Sequence, residues 1–150
     1  MVNPLEMRTL VMTERWEHFP HQADMGVRGY GPTRAKAFEQ AALALMAVIT
    51  DLDTIAPHDE VVLHCKAPND ELLFAEWLNS LIYEMATNKM LFSRFAVRIN
   101  GDELSAEAWG EHIDMVRHGP AVEIKGATYT ALRVAQDATG EWVAQTVVDV

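Results

Sequence analysis

The chain is predicted to belong to the α+β class, as two helices packed on a mostly antiparallel β-sheet within a single compact domain. Three observations predict it. Apolar residues recur at helical spacing in two stretches, Phe38 to Ile49 and Leu72 to Met85. Short alternating segments bounded by turn residues surround these stretches and crowd the sequence after the second. Apolar residues make up 49% of the 150 positions and charged residues 23%, a balance that supports one folded core. Helices covering an antiparallel sheet are the natural packing of such elements.

Each element has its own signal. Residues Met1–Thr13 have no sustained period and contain Pro4, so they read as a flexible N-terminal extension to a domain spanning 14–150. Trp16–Pro20 and Met25–Tyr30 read as short strands joined by the polar His21–Asp24 stretch. Thr33 is the N-cap of helix one, whose apolar face holds Phe38, Ala41, Ala42, Leu45, Met46 and Ile49. Asp59–Lys66 alternates, with Val61, Leu63 and Cys65 on one side and Val62, His64 and Lys66 on the other. Asn69 caps helix two, Asp70 and Glu71 suit the positive end of its dipole, and Lys89 suits the negative end. Leu72, Leu73, Trp77, Leu81, Ile82 and Met85 form its buried stripe. Phe92–Ile99 and Glu103–Gly110 alternate around Asn100-Gly101, a type I′ hairpin signal. Gly126–Gln136 and Glu141–Val150 do the same around the Asp137–Gly140 loop.

Composition and motif content narrow the function classes. A formal charge of -10, with 12 scattered basic residues, argues against direct nucleic-acid binding, which needs clustered cations to displace phosphate counterions. The nearly uncharged run Gln40–Thr50 falls short of the roughly 20 residues that cross a bilayer, so no membrane association is expected. A lone Cys65 suits a reducing compartment, and cytoplasmic location is expected. Its alternation with Val61 and Leu63 turns it toward the core, as a structural thiol and not a nucleophile. No phosphate-binding glycine loop, paired-cysteine motif, serine elbow or His-Glu-x-x-His helix occurs.

The stretch His21-Gln22-Ala23-Asp24-Met25-Gly26 sets an imidazole and a carboxylate in a tight connection between strands, where loops carry function but where Asp is also an ordinary turn former. Asp149 and the Val150 carboxylate close the last strand. If the first and last strands are sheet neighbours, three carboxylates gather, and oxygen-only ligation suits a hard divalent cation.

These residues resemble the archease family. His21–Gly26 is similar to its His-Thr-Ala-Asp-Ile-Gly opening, and Leu78-Asn79-Ser80-Leu81-Ile82-Tyr83 to its second helix. Asp114–His118 resembles Asp-Pro-x-Arg-His, Glu123–Tyr129 resembles Glu-Ile-Lys-Ala-x-Thr-Tyr, and Val147–Val150 resembles Val-Val-Asp-Ile. The resemblance implies a non-catalytic accessory protein of the RtcB-type RNA ligase, which joins 2′,3′-cyclic or 3′-phosphate ends to 5′-hydroxyl ends in tRNA splicing and RNA repair. It would promote guanylylation and multiple turnover of that ligase. The family's metal site falls on Asp24, Asp149 and Val150, with Ca²⁺ as the expected ion and Mg²⁺ or Mn²⁺ as alternatives. His21, Arg117, His118 and Lys125 are candidates for contacting the partner or supporting the site, with structural ion pairing open for Arg117 and Lys125. Thr130 and Gly126 stand where the family commonly has His and Ala. An autonomous metal-dependent hydrolase using the same carboxylates is the alternative, and a pure binding module with a structural cation a third.

Overall fold

The chain turns at Gln22 and Ala23 between two strands, β1 (Arg15–His21) and β2 (Asp24–Gly31), in a computed structural model that describes residues 13–150. Apart from Thr13, the expected N-terminal extension lies outside the described residues. The two strands pair antiparallel from Arg15↔Tyr30 to His21↔Asp24, so the predicted connection is itself the end of the ladder. Gln22 takes up the turn at φ 54.

Helix α1 (Arg34–Ile49) starts as predicted, with the Thr33 hydroxyl accepting from the Lys36 N–H at 3.1 Å. Its buried face comprises Ala37, Phe38, Ala41, Ala42, Ala44, Leu45, Met46 and Ile49. A short 3-10 turn at Leu52–Thr54 leads to β3 (Asp59–Lys66), where Leu63 is buried and Val62 and His64 are exposed, in the predicted alternation. Helix α2 (Asp70–Asn88) is capped by Asn69, which accepts from the Leu72 N–H at 2.9 Å, and ends at Lys89 in the left-handed region. Strands β4 (Met90–Asn100) and β5 (Glu103–His112) form the predicted hairpin. Its two-residue loop is Gly101-Asp102, because Asn100 pairs with Glu103. Gly101 has φ 64 while Asn100 and Asp102 stay at negative φ, the type II′ pattern in place of the expected type I′.

The last quarter departs further. A single helical turn, α3 (Met115–His118), starts where the Asp114 side chain accepts from the N–H groups of Val116 and Arg117, both at 3.0 Å. The expected strand Gly126–Gln136 is two strands, β6 (Gly126–Ala127) and β7 (Arg133–Gln136), both paired with β8 (Trp142–Asp149). Threonine side chains bond across the break. The buried Thr146 hydroxyl donates to the carbonyl of Thr128 at 2.6 Å, and the Thr128 hydroxyl donates to the Val147 carbonyl at 2.7 Å. Backbone bonds persist across the interruption, from the Thr128 N–H to the Val147 carbonyl at 3.0 Å and from the Val147 N–H to the Thr130 carbonyl at 3.1 Å, and Ala131 turns there at φ 55.

The strands form two antiparallel sheets where one was expected. One has the order β1-β2-β8-β6 with β7 also on β8, and the other β3-β5-β4. Helix α1 packs on β2 of the first and β4 of the second, and α2 joins the core beside it. The Trp77 indole N–H donates to the Phe38 carbonyl at 3.0 Å, and Phe38 meets Phe74 edge-on at 5.0 Å between ring centroids. Two long helices, a third of one turn and antiparallel strands in one domain agree with the predicted α+β class. No described helix is long and apolar enough to cross a membrane.

Candidate functional site

One end of the five-stranded sheet brings together His21, Asp24 and Asp149 of the residues that the sequence singled out. The β1–β2 ladder closes on the pair His21↔Asp24. The β2–β8 ladder ends at Met25↔Val148, so continuing the register by one residue sets Asp24 against Asp149. Strand β8 therefore neighbours the second strand of the hairpin, the one that opens on Asp24, and not the first. Residues facing each other across an antiparallel pair share a face, so His21, Asp24 and Asp149 project to the same side. That side carries Arg28 and Tyr30 further along β2, whereas Val27 and Gly29 face α1. On the far edge of β8, Gly126 pairs with Asp149, and the Lys125 N–H donates to the Asp149 carbonyl at 2.8 Å.

Two carboxylates stand at this end of the sheet. Asp24 is half-buried and Asp149 exposed, and no hydrogen bond or ion pair with another described residue engages either carboxylate. Val150 packs its side chain partly against the core. Among the described residues no group of three or more His, Cys, Asp or Glu side chains is close enough to hold an ion. The candidate ligands Asp24 and Asp149, with Val150 next in the chain, offer oxygen donors only, the type that hard cations such as Ca²⁺ or Mg²⁺ take. Cavities of about 410 Å³ (between α2 and the 113–124 segment) and about 520 Å³ (along the β4–β5 hairpin) are not lined by these residues.

Arg117 and His118 lie elsewhere in the contact network. Glu111 of β5 accepts from Arg117 at 2.5 Å and from the His118 Nε2 at 3.0 Å. The Asp114 N–H donates to His118 Nδ1 at 2.8 Å, which leaves the ring proton on Nε2 for Glu111. His118 is only 4% exposed. A third donor, the Ala56 N–H at 2.7 Å, is the main reason that the Glu111 carboxyl sits below its usual range, with His118 next. Arg117 thus makes an ion pair with Glu111, one of the two roles open to it. The Lys125 side chain is exposed, and no described acidic side chain pairs with it. Cys65 is half-buried with Sγ 3.7 Å from the Ser80 hydroxyl, and burial raises its thiol pKa, as expected of a structural cysteine.

Two supporting residues escaped the sequence reading. Glu111 falls one residue past the expected strand Glu103–Gly110, with no signal of its own. Asn79 enters the sequence reading only as a letter of the Leu78–Tyr83 resemblance, yet its Oδ1 accepts from the Ala127 N–H at 2.9 Å, tying α2 to β6.

The Archease protein family (MTH1598/TM1083) model matches residues 16–150. The chain belongs to the archease family. It is 37% identical to protein archease of Thermococcus gammatolerans over 139 residues, covering 90% of this chain and 98% of that relative. Against protein archease of Pyrococcus furiosus the identity is 35% over 140 residues, covering 91% and 99%. The solution structure of Methanobacterium thermoautotrophicum protein 1598 superposes with a TM-score of 0.79 at 29% identity, covering 90% of this chain and 98% of the other. Both departures from the family pattern are sterically mild. A Cβ on Gly126 would meet only the Asn79 Oδ1, at 3.7 Å. The Thr130 carbonyl, which accepts from the Val147 N–H at 3.1 Å, serves with any side chain at that position.

Proposed function

We propose that this chain is a cytoplasmic, non-catalytic accessory protein of an RtcB-type RNA ligase, promoting its guanylylation and turnover in tRNA splicing and RNA repair. The supporting observation is the family match over residues 16–150 together with Asp24 and Asp149 at the same end of adjacent strands. Asp24, Asp149 and the Val150 carboxylate would hold a divalent cation, Ca²⁺ in the first instance. Such an ion stabilises negative charge on a transferring phosphoryl group. Ca²⁺ takes about six to eight oxygen ligands, more than these residues supply, which fits a site shared with a partner's groups or water. Phosphoester turnover by the purified protein alone, lost on chelation, would favour the hydrolase alternative instead. His21, beside Asp24, and the exposed Lys125 are the partner contacts in this reading.

The test is ligase guanylylation from GTP with and without this protein, using wild type and Asp24→Ala. Asp24→Ala should fold normally and give no stimulation. Full stimulation by that variant sinks the proposal.

A further inference from the structure

Asn79 sits midway along α2, with its side chain exposed toward β6. Besides the bond from the Ala127 N–H at 2.9 Å, its Nδ2 donates toward the Ala127 carbonyl at 3.5 Å. Both contacts fall on a strand of only two residues, too short to be held in place by its own pairing.

That strand matters because of where the main ladder stops. β2 pairs with β8 only as far as Val148, so Asp149 lies one residue beyond it. What restrains the Asp149 backbone is the β6 side: the pair Gly126↔Asp149 and the 2.8 Å bond from the Lys125 N–H to the Asp149 carbonyl. At the exit of β6, Thr128 is anchored separately, its N–H and hydroxyl both donating to the Val147 carbonyl, at 3.0 and 2.7 Å. Asn79 thus holds Ala127 between the Gly126↔Asp149 pair and the Thr128 anchor, so removing it loosens β6 without releasing the whole segment. Helix α2 is a 19-residue element whose opposite face is in the core, so Asn79 is the link from that rigid body to the strand beside Asp149.

We infer that Asn79 is a positioning residue for the cation site: by pinning β6 to α2 it fixes the Asp149 carboxylate relative to Asp24, without touching the ion. This rests on the cation-site reading above, and the experiment separates the two.

Ca²⁺ binding by isothermal titration and backbone amide exchange by NMR are measured on the full chain for wild type, Asp24→Ala, Asn79→Leu and Asn79→Asp. Leucine preserves bulk and helix propensity but offers no acceptor, whereas aspartate keeps the acceptor for the Ala127 N–H. Asn79→Leu should weaken Ca²⁺ binding by roughly tenfold, as losses of supporting bonds around metal ligands do. It should also speed exchange of the Lys125 and Ala127 amides while leaving β2 amides unchanged, and Asn79→Asp should restore slow exchange at Ala127. Wild-type Ca²⁺ binding that is absent or indifferent to Asp24→Ala overturns the cation-site reading, and the assignment of Asn79 to that site goes with it. Asp24-dependent binding with unchanged affinity in Asn79→Leu, or unchanged Lys125 exchange in that variant, overturns the role of Asn79 alone.

Discussion

The same substitution at two strand glycines should have opposite effects, and the difference can be worked out from the structure. At Gly29, an added Cβ would lie 2.2 Å from the Ala37 carbonyl oxygen and 2.3 Å from the Ala41 nitrogen. Both are backbone atoms of α1, so no rotamer change relieves the clash. Restoring ordinary contact distances needs the helix to retreat from β2 by about 1 Å. That movement would loosen packing around Ala37, Phe38 and Ala41, all fully buried, and around the Phe38–Phe74 contact. Overpacking a core costs about 1–3 kcal/mol, and a clash against helix backbone belongs at the upper end. In a chain of this size each kcal/mol shifts the melting temperature by about 2–4 °C, so Gly29→Ala should melt about 6–12 °C below wild type. At Gly126 the nearest atom is 3.7 Å away and φ is not positive, so the methyl fits. Gly→Ala at a compatible site stabilises by about 0.4–1 kcal/mol, through the unfolded chain, for a rise of about 1–4 °C. Thermal unfolding followed by far-UV circular dichroism decides between these. A Gly29→Ala melt within about 2 °C of wild type, or equal shifts for both variants, refutes the close helix–sheet approach as the cause.

Three further predictions concern other parts of the molecule. The Glu111 carboxyl is held below its usual value of 4.5, first by the Ala56 N–H and then by His118. A depressed folded-state pKa gives stability that is present above the unfolded value and lost as pH falls through the folded one. The melting-temperature gap between wild type and Glu111→Gln should therefore be constant near neutrality and shrink below about pH 4; a gap that persists undiminished in acid contradicts it. The Cys65 thiol, raised by burial, should react with a disulfide reagent at neutral pH roughly tenfold more slowly than free cysteine, and a matching rate would show it exposed and ionised. Trp77→Phe removes the donor to the Phe38 carbonyl and part of a fully buried ring, at a cost of about 1–3 kcal/mol. The urea midpoint should fall at unchanged slope, and an unmoved midpoint rejects that role for Trp77.

Elements whose signals are local were legible in the sequence. Thr33 and Asn69 cap their helices with their own side chains, and the β3 alternation separates Leu63 from Val62 within one strand. Features that depend on distant residues were not legible. Periodicity tells which side of a strand is buried, not which strand lies beside it, so two sheets read as one. The break after Ala127, where Ala131 turns at φ 55 and hydroxyls of Thr128 and of Thr146, 18 residues on, bond across the gap, leaves the alternation pattern undisturbed. Asp24 could be picked out in its turn, but its closeness to Asp149 depends on β2 pairing with β8, a contact spanning most of the chain. The acidic pair was thus visible as residues and conditional as a site.

The path between β5 and β6 separates the two kinds of role open to the remaining candidates. Glu111 gathers Ala56, Arg117 and His118, the Thr50 hydroxyl donates to the His118 carbonyl, and the Ala121 N–H donates to the Ile49 carbonyl at 2.8 Å. The segment is thereby tied to the C-terminal end of α1, satisfying a carbonyl there, before Lys125 closes on Asp149. His118 is buried with both ring nitrogens bonded, so His118→Ala should cost about 2–3 kcal/mol and lower the melting temperature by about 4–12 °C. Lys125→Ala, at an exposed ammonium, should stay within about 0.5 kcal/mol of wild-type stability while reducing ligase stimulation. Melting and stimulation measured on both variants separate anchor from contact. Wild-type melting with lost stimulation in His118→Ala would require a side chain that is 4% exposed to meet a partner, and would reverse the assignment.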